Sequence, residues 1–244
     1  MSENTLSTAK QQRMAAVHAA IAATTMPRAL VWNPWKHVAE DGVDLLALSA
    51  PAQRGTVPDT IPDNREFSAI KAVQLSQLGA EAGYDGPVTE HTFADAKQRL
   101  RSKYVAAGRA RYANLASGNC TLFACCVIGM LADQPRLLGP GVRVELFNLA
   151  DTTGGGGHAY VVIGRADGDF RNLKTYGPDS FFVDVWYARQ QLSSPGVNAV
   201  KDIVLHDTSN NPFWDLNFYS FMDDDNTFLL KHTFTSDELA TLGR

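Results

Sequence analysis

The spacing of apolar residues has a helical period in the first half of the chain. Apolar positions such as Val17 and Ile21 recur every three or four residues within polar or Ala-rich stretches. Three stretches predict helices in this way: residues 8–23, 65–82 and 93–107. The second and third begin after the capping candidates Asn64 and Thr92. Residues 31–64 are interrupted by several prolines and are predicted to form an irregular arm.

After about residue 140 the pattern becomes strand-like, with β-branched and aromatic residues in short runs. These runs predict strands over residues 142–147, 159–165 and 180–186, with weaker candidates at 200–205 and 227–234. Between the two halves, the apolar run from Thr121 to Leu131 predicts a buried helix that begins at Cys120. Helices followed by strands indicate an α+β fold. We expect an N-terminal helical and irregular arm over residues 1–90 and a core over residues 91–244.

Composition narrows the possible functions. The 244 residues are 45% hydrophobic and 20% charged, as in ordinary globular proteins. A formal net charge of −4 and the lack of a dense Lys/Arg run argue against a nucleic-acid surface. The chain begins with a polar segment instead of the apolar core of a signal peptide, and no window is apolar enough for a membrane span. We therefore expect synthesis in a cytoplasm, no contact with nucleic acid and no membrane span.

The cysteines are few and their spacing favours chemistry over cross-linking. There are three, and Cys125 and Cys126 are adjacent, so a disulfide framework is not expected and the compartment is predicted to be reducing. No Cys-x-x-Cys or His-x-x-x-His pair is present, so neither a metal nor another cofactor is expected. Cys125 and Cys126 are predicted to pack in the core. Cys120 differs from them because it stands at a predicted helix start, where N–H groups and the helix dipole favour a thiolate.

Two further residues complete a candidate catalytic set with Cys120. His158 follows four glycines and opens a predicted strand, and Asp184 lies within the next strand. If the two strands are neighbours, Asp184 can accept a hydrogen bond from the imidazole and fix its tautomer. A thiolate, a histidine and an orienting carboxylate are the groups that attack an acyl carbonyl. The glycines, residues 154–157, are either a gate over the site or only a flexible loop, and Gly157 and Trp186 are candidates for the substrate pocket.

The tetrahedral intermediate of such a reaction needs hydrogen-bond donors for its oxyanion. The backbone N–H of Cys120 is one. Asn114 and Asn119 are the side-chain candidates; Asn114 is favoured for the oxyanion, and Asn119 as a helix cap. Less favoured alternatives for the base and the orienting group are His206 with Asp207, and the carboxylates of Glu145 and Asp179. Without a partner base, Cys120 would be read as a buried structural thiol.

These segments carry a family resemblance. They are Gly118-Asn119-Cys120 with its apolar helix, the strand from His158 to Arg165, and Phe182-Val183-Asp184-Val185-Trp186. They resemble the papain-like effectors and toxins of bacteria, a superfamily that includes YopT/AvrPphB-type cysteine proteases and related glutamine deamidases. Tyr160 stands where that family has Phe, and Val185 where it has Pro. The resemblance implies a papain-like core, with a central Cys-bearing helix packed on an antiparallel sheet.

The implied function is hydrolysis of a protein carboxamide by Cys120, His158 and Asp184. Glutamine deamidation of a host protein is favoured, with cleavage of a peptide bond as the alternative, because both pass through the same acyl-enzyme. A non-catalytic binding module on the same fold, and acyl transfer to an amine, are further alternatives. The resemblance also implies a monomer that is secreted into a host cell by a specialised system, with a chaperone contact on the N-terminal arm.

Overall fold

The computed structural model describes residues 6–31, 90–150, 157–170, 172–191, 203–206 and 228–242. The helices among them are α1 (Thr8–Ala22), α2 (Glu90–Arg109), α3 (Cys120–Asp133), α4 (Val185–Gln191) and α5 (Ser236–Thr241). The strands are β1 (Leu30–Val31), β2 (Ser117–Gly118), β3 (Arg143–Ala150), β4 (Gly157–Ile163), β5 (Phe181–Val183), β6 (Val204–Leu205) and β7 (Phe228–Thr235). This mixture confirms the predicted α+β class.

The main sheet has the strand order β6-β5-β4-β3-β7, and every neighbouring pair in it is antiparallel. β3 and β4 form its centre, with Val144 opposite Ile163 at one end and Ala150 opposite Gly157 at the other. β1 and β2 form a separate parallel pair, in which β2 lies directly before α3 in the chain. The start of β4 and the end of β5 therefore lie at the same end of the sheet, because the two strands run in opposite directions.

The central helix α3 is apolar all round because it is enclosed on all sides. Residues 121–132 are all buried, and the helix packs between α2 and the face of the sheet formed by residues such as Leu146 and Val161. The crossing with α2 is close, since a Cβ at Gly108 would overlap the carbonyl oxygen of Cys125. Glycine at this position therefore allows backbone to approach backbone.

The opposite face of the sheet is also buried over part of its area. Phe147, Tyr160 and Phe182 belong to a second apolar cluster, which Tyr176 and Phe170 cover from the segment that follows β4. Two-sided burial explains why β4 from Ala159 to Ile163 and the whole of β5 are apolar and do not alternate. It also surrounds the start of β4 with aromatic rings.

α1 is part of the same core as α3. Val17 and Ile21 have no exposed surface and lie in the cluster that contains the α3 side chains. Lys10 is buried too, and its Nζ donates to the carbonyl oxygens of Pro178 (3.1 Å) and His206 (3.0 Å). The domain boundary near residue 90 stays a prediction, but the first helix of the predicted arm packs on the core.

Two local predictions are wrong. Thr92 was expected to cap a helix that starts at residue 93, whereas α2 already includes Glu90 and continues to Arg109. The predicted strand 180–186 stops at Val183, and a helix follows from Val185. The helix over 65–82 and nearly all of the irregular arm over 31–64 lie outside the described residues. Within the described ranges, no helix has the length and hydropathy needed to span a bilayer.

Candidate active site

Cys120 is the first residue of α3, and its neighbours hold the helix start in place. The Asn119 backbone is extended, and its side-chain oxygen accepts a hydrogen bond from the Leu122 N–H at 2.9 Å. The Asn119 carbonyl accepts from the Phe123 N–H at 3.1 Å. Asn119 is thus the N-cap, as predicted. A helix offers no intrahelical acceptor for its first N–H groups, and those of Cys120 and Thr121 are among them.

His158 reaches the site because β4 extends beyond the end of its neighbour β5. β5 pairs with β4 from Val161, opposite Val183, to Ile163, opposite Phe181. His158 and Ala159 therefore project past the end of β5, next to the start of α3. The Cys120 thiol lies close enough to the His158 side chain and to the Ala159 backbone for both to lower its pKa. The Ala159 contact is a backbone interaction that no sequence motif signals.

Asp184 lies directly after β5 and serves two partners. Its Oδ2 is 2.5 Å from His158 Nε2, and both side chains are only 4% exposed. Its Oδ1 accepts from the Tyr187 N–H at 3.0 Å, which caps α4. The predicted hydrogen bond to the imidazole is present. Its setting corrects the sequence analysis, because Asp184 is a helix cap at a strand end and not a mid-strand residue.

Cys120, His158 and Asp184 form one line of interacting side chains. Asp184 occupies Nε2 of His158, so Nδ1 is the ring nitrogen left to face the Cys120 thiol. With Nε2 as donor to the carboxylate, Nδ1 can take a proton from the sulfur. The arrangement is able to hold a thiolate beside an imidazolium, and to return the proton to a leaving group.

The electrostatics favour that ion pair. Burial alone would raise the pKa of the Cys120 thiol, but the hydrogen bond from His158, its charge and the Ala159 backbone outweigh burial and lower the pKa. Burial would likewise lower the pKa of His158. The Asp184 charge, its hydrogen bond and the Cys120 contact together raise the pKa of His158 to about 10. The imidazolium is therefore the favoured form at neutral pH.

Aromatic rings shield the imidazole from water. The Trp186 ring centre is 5.1 Å from that of His158, at an angle of 41° between the planes. The Tyr160 ring lies 6.0 Å away, nearly parallel at 21°. Trp186 lies in the first turn of α4 and not in the predicted strand 180–186, and its place in a substrate pocket stays a prediction. It meets His158 because α4 begins directly after Asp184, whose carboxylate binds the imidazole.

The other candidate residues lie apart from this line or outside the described residues. Asn114 is exposed in the turn after α2, and its oxyanion role stays a prediction. Gly157 pairs with Ala150 at the start of β4, beside His158, and its place in a substrate pocket also stays a prediction. Residues 151–156, with the first three glycines, and Asp207 fall outside the described ranges, so neither the gate nor the His206-Asp207 alternative can be placed.

The two alternative carboxylates have partners elsewhere. Glu145 makes a two-pronged ion pair with Arg165, at 2.6 Å to Nε and 2.8 Å to a terminal nitrogen. Asp179 accepts a hydrogen bond from Ser7 Oγ at 2.7 Å. Cys125 and Cys126 are buried in α3, and burial raises the pKa of Cys126, in contrast to Cys120. The carboxylate next to the imidazole is that of Asp184.

No metal is implied by this site. Among the residues that the structure describes, no group of His, Cys, Asp and Glu side chains is arranged to hold a metal ion.

Comparison with known proteins yields no relative: no family model matches the chain, and no curated protein or solved structure is significantly similar to it. The residues and geometry of the site are therefore what any functional assignment of this chain has to rest on.

Proposed function

We propose that this protein is a thiol-dependent hydrolase that breaks the C–N bond of a carboxamide in another protein. The observation that carries the proposal is the alignment of three side chains: Asp184 is hydrogen-bonded to His158, and His158 interacts with the Cys120 thiol. A packing cysteine has no need of a buried histidine whose far nitrogen is bonded to a buried carboxylate. Burying such a carboxylate is costly unless its partners stabilise it.

Each residue has a role in the proposed reaction. The Cys120 thiolate attacks the carbonyl carbon, and the oxyanion is stabilised by N–H groups at the start of α3. The His158 imidazolium gives its proton to the leaving nitrogen, which departs as ammonia or an amine and leaves a thioester. His158 then removes a proton from water, which attacks the thioester and releases a carboxylic acid and the Cys120 thiolate, beside the re-formed imidazolium. Asp184 keeps the ring oriented and supports its positive charge.

The favoured substrate is a glutamine side chain of a host protein. The support is the likeness to the papain-like effector and toxin superfamily, together with a Cys-bearing helix packed on an antiparallel sheet. We extend that proposal to the papain-like core, to a bacterial source and to delivery into a host cell by a specialised secretion system. A peptide bond as substrate is the alternative outcome of the same chemistry.

The test compares the wild-type protein with Cys120→Ala in an extract of eukaryotic cells. Quantitative peptide mass spectrometry reports glutamines converted to glutamate, a gain of about 1 Da when NH₂ is replaced by OH. We expect such conversions only with the wild-type protein, and no new chain ends. New termini that depend on Cys120 would instead identify a protease. If the thiol also alkylates only near pH 8.5, as an ordinary cysteine does, the hydrolase proposal is wrong.

A further inference from the structure

A short N-terminal segment touches both sides of the candidate active site. Met26–Arg28 form a single 3₁₀ turn, and β1 follows at Leu30–Val31. β1 pairs in parallel with β2, with Leu30 beside Ser117 and Val31 beside Gly118. Gly118 directly precedes the Asn119 cap and Cys120. The segment is therefore hydrogen-bonded to the turn that delivers the nucleophile.

The same segment also holds the helix that carries the orienting carboxylate. Arg189 in α4 donates from Nε to the Ala29 carbonyl oxygen at 2.9 Å. Ala29 is 2% exposed, and both the 3₁₀ turn and β1 pack against α4. Asp184, which lies five residues before Arg189, caps α4 by accepting a hydrogen bond from the Tyr187 N–H. One end of α4 thus binds the histidine, and the other end binds the segment beside the nucleophile.

We propose that Arg189 and the segment Met26–Val31 form a clasp that fixes the distance between the Cys120 turn and the Asp184 helix, with Arg189 as a positioning residue. The consequence for the thiol rests on the proposed function. Ion-pair formation depends steeply on the placement of the sulfur beside the imidazole, because the hydrogen bond weakens quickly with distance and angle. Arg189 acts on the thiol only through the position of these two elements.

The clasp changes how the N-terminal region is understood. The predicted arm contributes a backbone strand beside the turn that carries Cys120. The region from Met26 to Val31 is accordingly needed for a reactive thiol, as well as for stability. A recognition arm that merely binds a partner would have no such effect.

The test uses Arg189→Ala and Arg189→Lys in the full-length chain, with Arg136→Ala as the matched control. Arg136 is exposed on a 3₁₀ turn after α3, away from the clasp. Hydrogen exchange followed by mass spectrometry compares the nucleophile turn, residues 117–123, with the interior of α3, residues 125–131. Iodoacetamide alkylation of Cys120 as a function of pH is the second measurement.

We expect Arg189→Ala to raise exchange of the nucleophile turn about tenfold while the α3 interior changes little. In this variant the turn can open locally without first breaking the Arg189 contact. The alkylation profile should move towards that of an ordinary thiol, near pH 8.5. Arg189→Lys should lie between Arg189→Ala and wild type, because an ammonium can still donate to the Ala29 carbonyl. Arg136→Ala should match wild type in both measurements.

Three results would overturn the clasp. One is wild-type exchange in the nucleophile turn of Arg189→Ala, and another is an equal rise in both regions, which indicates general loosening. The third is faster exchange with an unchanged alkylation profile, which gives Arg189 a purely structural role. A wild-type protein whose Cys120 alkylates as an ordinary thiol would refute the proposed function. The exchange measurement alone would then decide whether the clasp holds the turn.

Discussion

The Asp184 carboxylate uses its two oxygens for two different tasks, and an amide has only one oxygen to offer. Oδ1 accepts from the Tyr187 N–H and Oδ2 accepts from His158 Nε2. In Asp184→Asn, the single oxygen is expected to remain on the helix cap, since asparagine is a favourable N-cap. The NH₂ group then faces Nε2, which forces the ring proton onto Nδ1, next to Cys120. A protonated Nδ1 on a neutral ring cannot accept the thiol proton.

The size of the effect follows from the bond that is lost. A hydrogen bond to a charged group contributes about 1.5–3 kcal/mol, and the bond between His158 and Asp184 is short and almost fully buried. About 1.4 kcal/mol corresponds to a tenfold change in an equilibrium constant. The thiolate–imidazolium pair of Asp184→Asn should therefore be about 10- to 100-fold less favoured than in the wild-type protein.

The assay is the rate of Cys120 alkylation by iodoacetamide between about pH 5 and pH 10, with peptide mapping to separate Cys120 from Cys125 and Cys126. In the wild-type protein the ion pair persists over the pH range between the lowered pKa of Cys120 and the raised pKa of His158. Alkylation should therefore persist well below the range of an ordinary thiol. At pH 6, Asp184→Asn should react about 10- to 100-fold more slowly.

Asp179→Asn is the matched control, because it makes the same chemical change at a carboxylate that binds Ser7 instead of His158. It should alkylate as the wild type does. If Asp184→Asn kept the wild-type pH profile, Asp184 would not support the imidazolium, and the reasoning from hydrogen-bond capacity would be refuted. A loss of reactivity in Asp179→Asn of the same size would refute it equally.

Three further predictions concern stability, each measured by chemical denaturation. Gly108→Ala should lower the free energy of unfolding by about 1–3 kcal/mol, because its Cβ meets the α3 backbone; Ala106→Ser, on the exposed face of the same helix, should change it by less than about 0.5 kcal/mol. Glu145→Gln should cost about 3–5 kcal/mol, because it leaves the buried Arg165 charge without its counter-charge; a loss below about 1 kcal/mol would contradict this. Asn119→Ala should cost about 1 kcal/mol and slow Cys120 alkylation at pH 6, whereas Asn119→Ser keeps the cap and should restore both.

The start of α3 could be predicted because all of its signals are local. A capping residue, a helix-starting cysteine and an apolar run follow each other directly in the sequence. The first helix was predicted over 8–23 and is found at Thr8–Ala22 for the same reason. Local hydrogen bonds and a strong apolar pattern decide such elements before any distant contact forms.

The turn at Asp184 could not be predicted because distant residues decide it. Val185 and Trp186 favour strands, so the run from Phe182 onwards looks continuous. The chain leaves the sheet because the carboxylate caps α4 and binds His158, while the Asp184 N–H is held by the Ile203 carbonyl at 2.9 Å. Partners at that distance in sequence leave no local pattern, and tertiary contacts overrode propensity here.

The pairing of β1 with β2 escaped the sequence analysis for another reason. It is made by backbone groups of two residues on each side, which almost any side chains allow. The arginine that binds Ala29 is equally inconspicuous, since a single Arg in a short helix has no distinctive spacing. Backbone contacts between distant segments depend little on residue type, so the sequence does not reveal them.

Arg189 and its partner Ala29 are 160 positions apart in the chain, which has a consequence for biosynthesis. Ribosomes make Ala29 and Cys120 well before His158, Asp184 and Arg189, and contacts of high sequence separation form only when both ends exist. A nascent chain that has emerged only as far as α3 therefore carries an ordinary, mostly protonated cysteine. The thiol gains its acidity only after translation has passed residue 189 and the ends have met, so truncated products should show only the reactivity of an ordinary thiol.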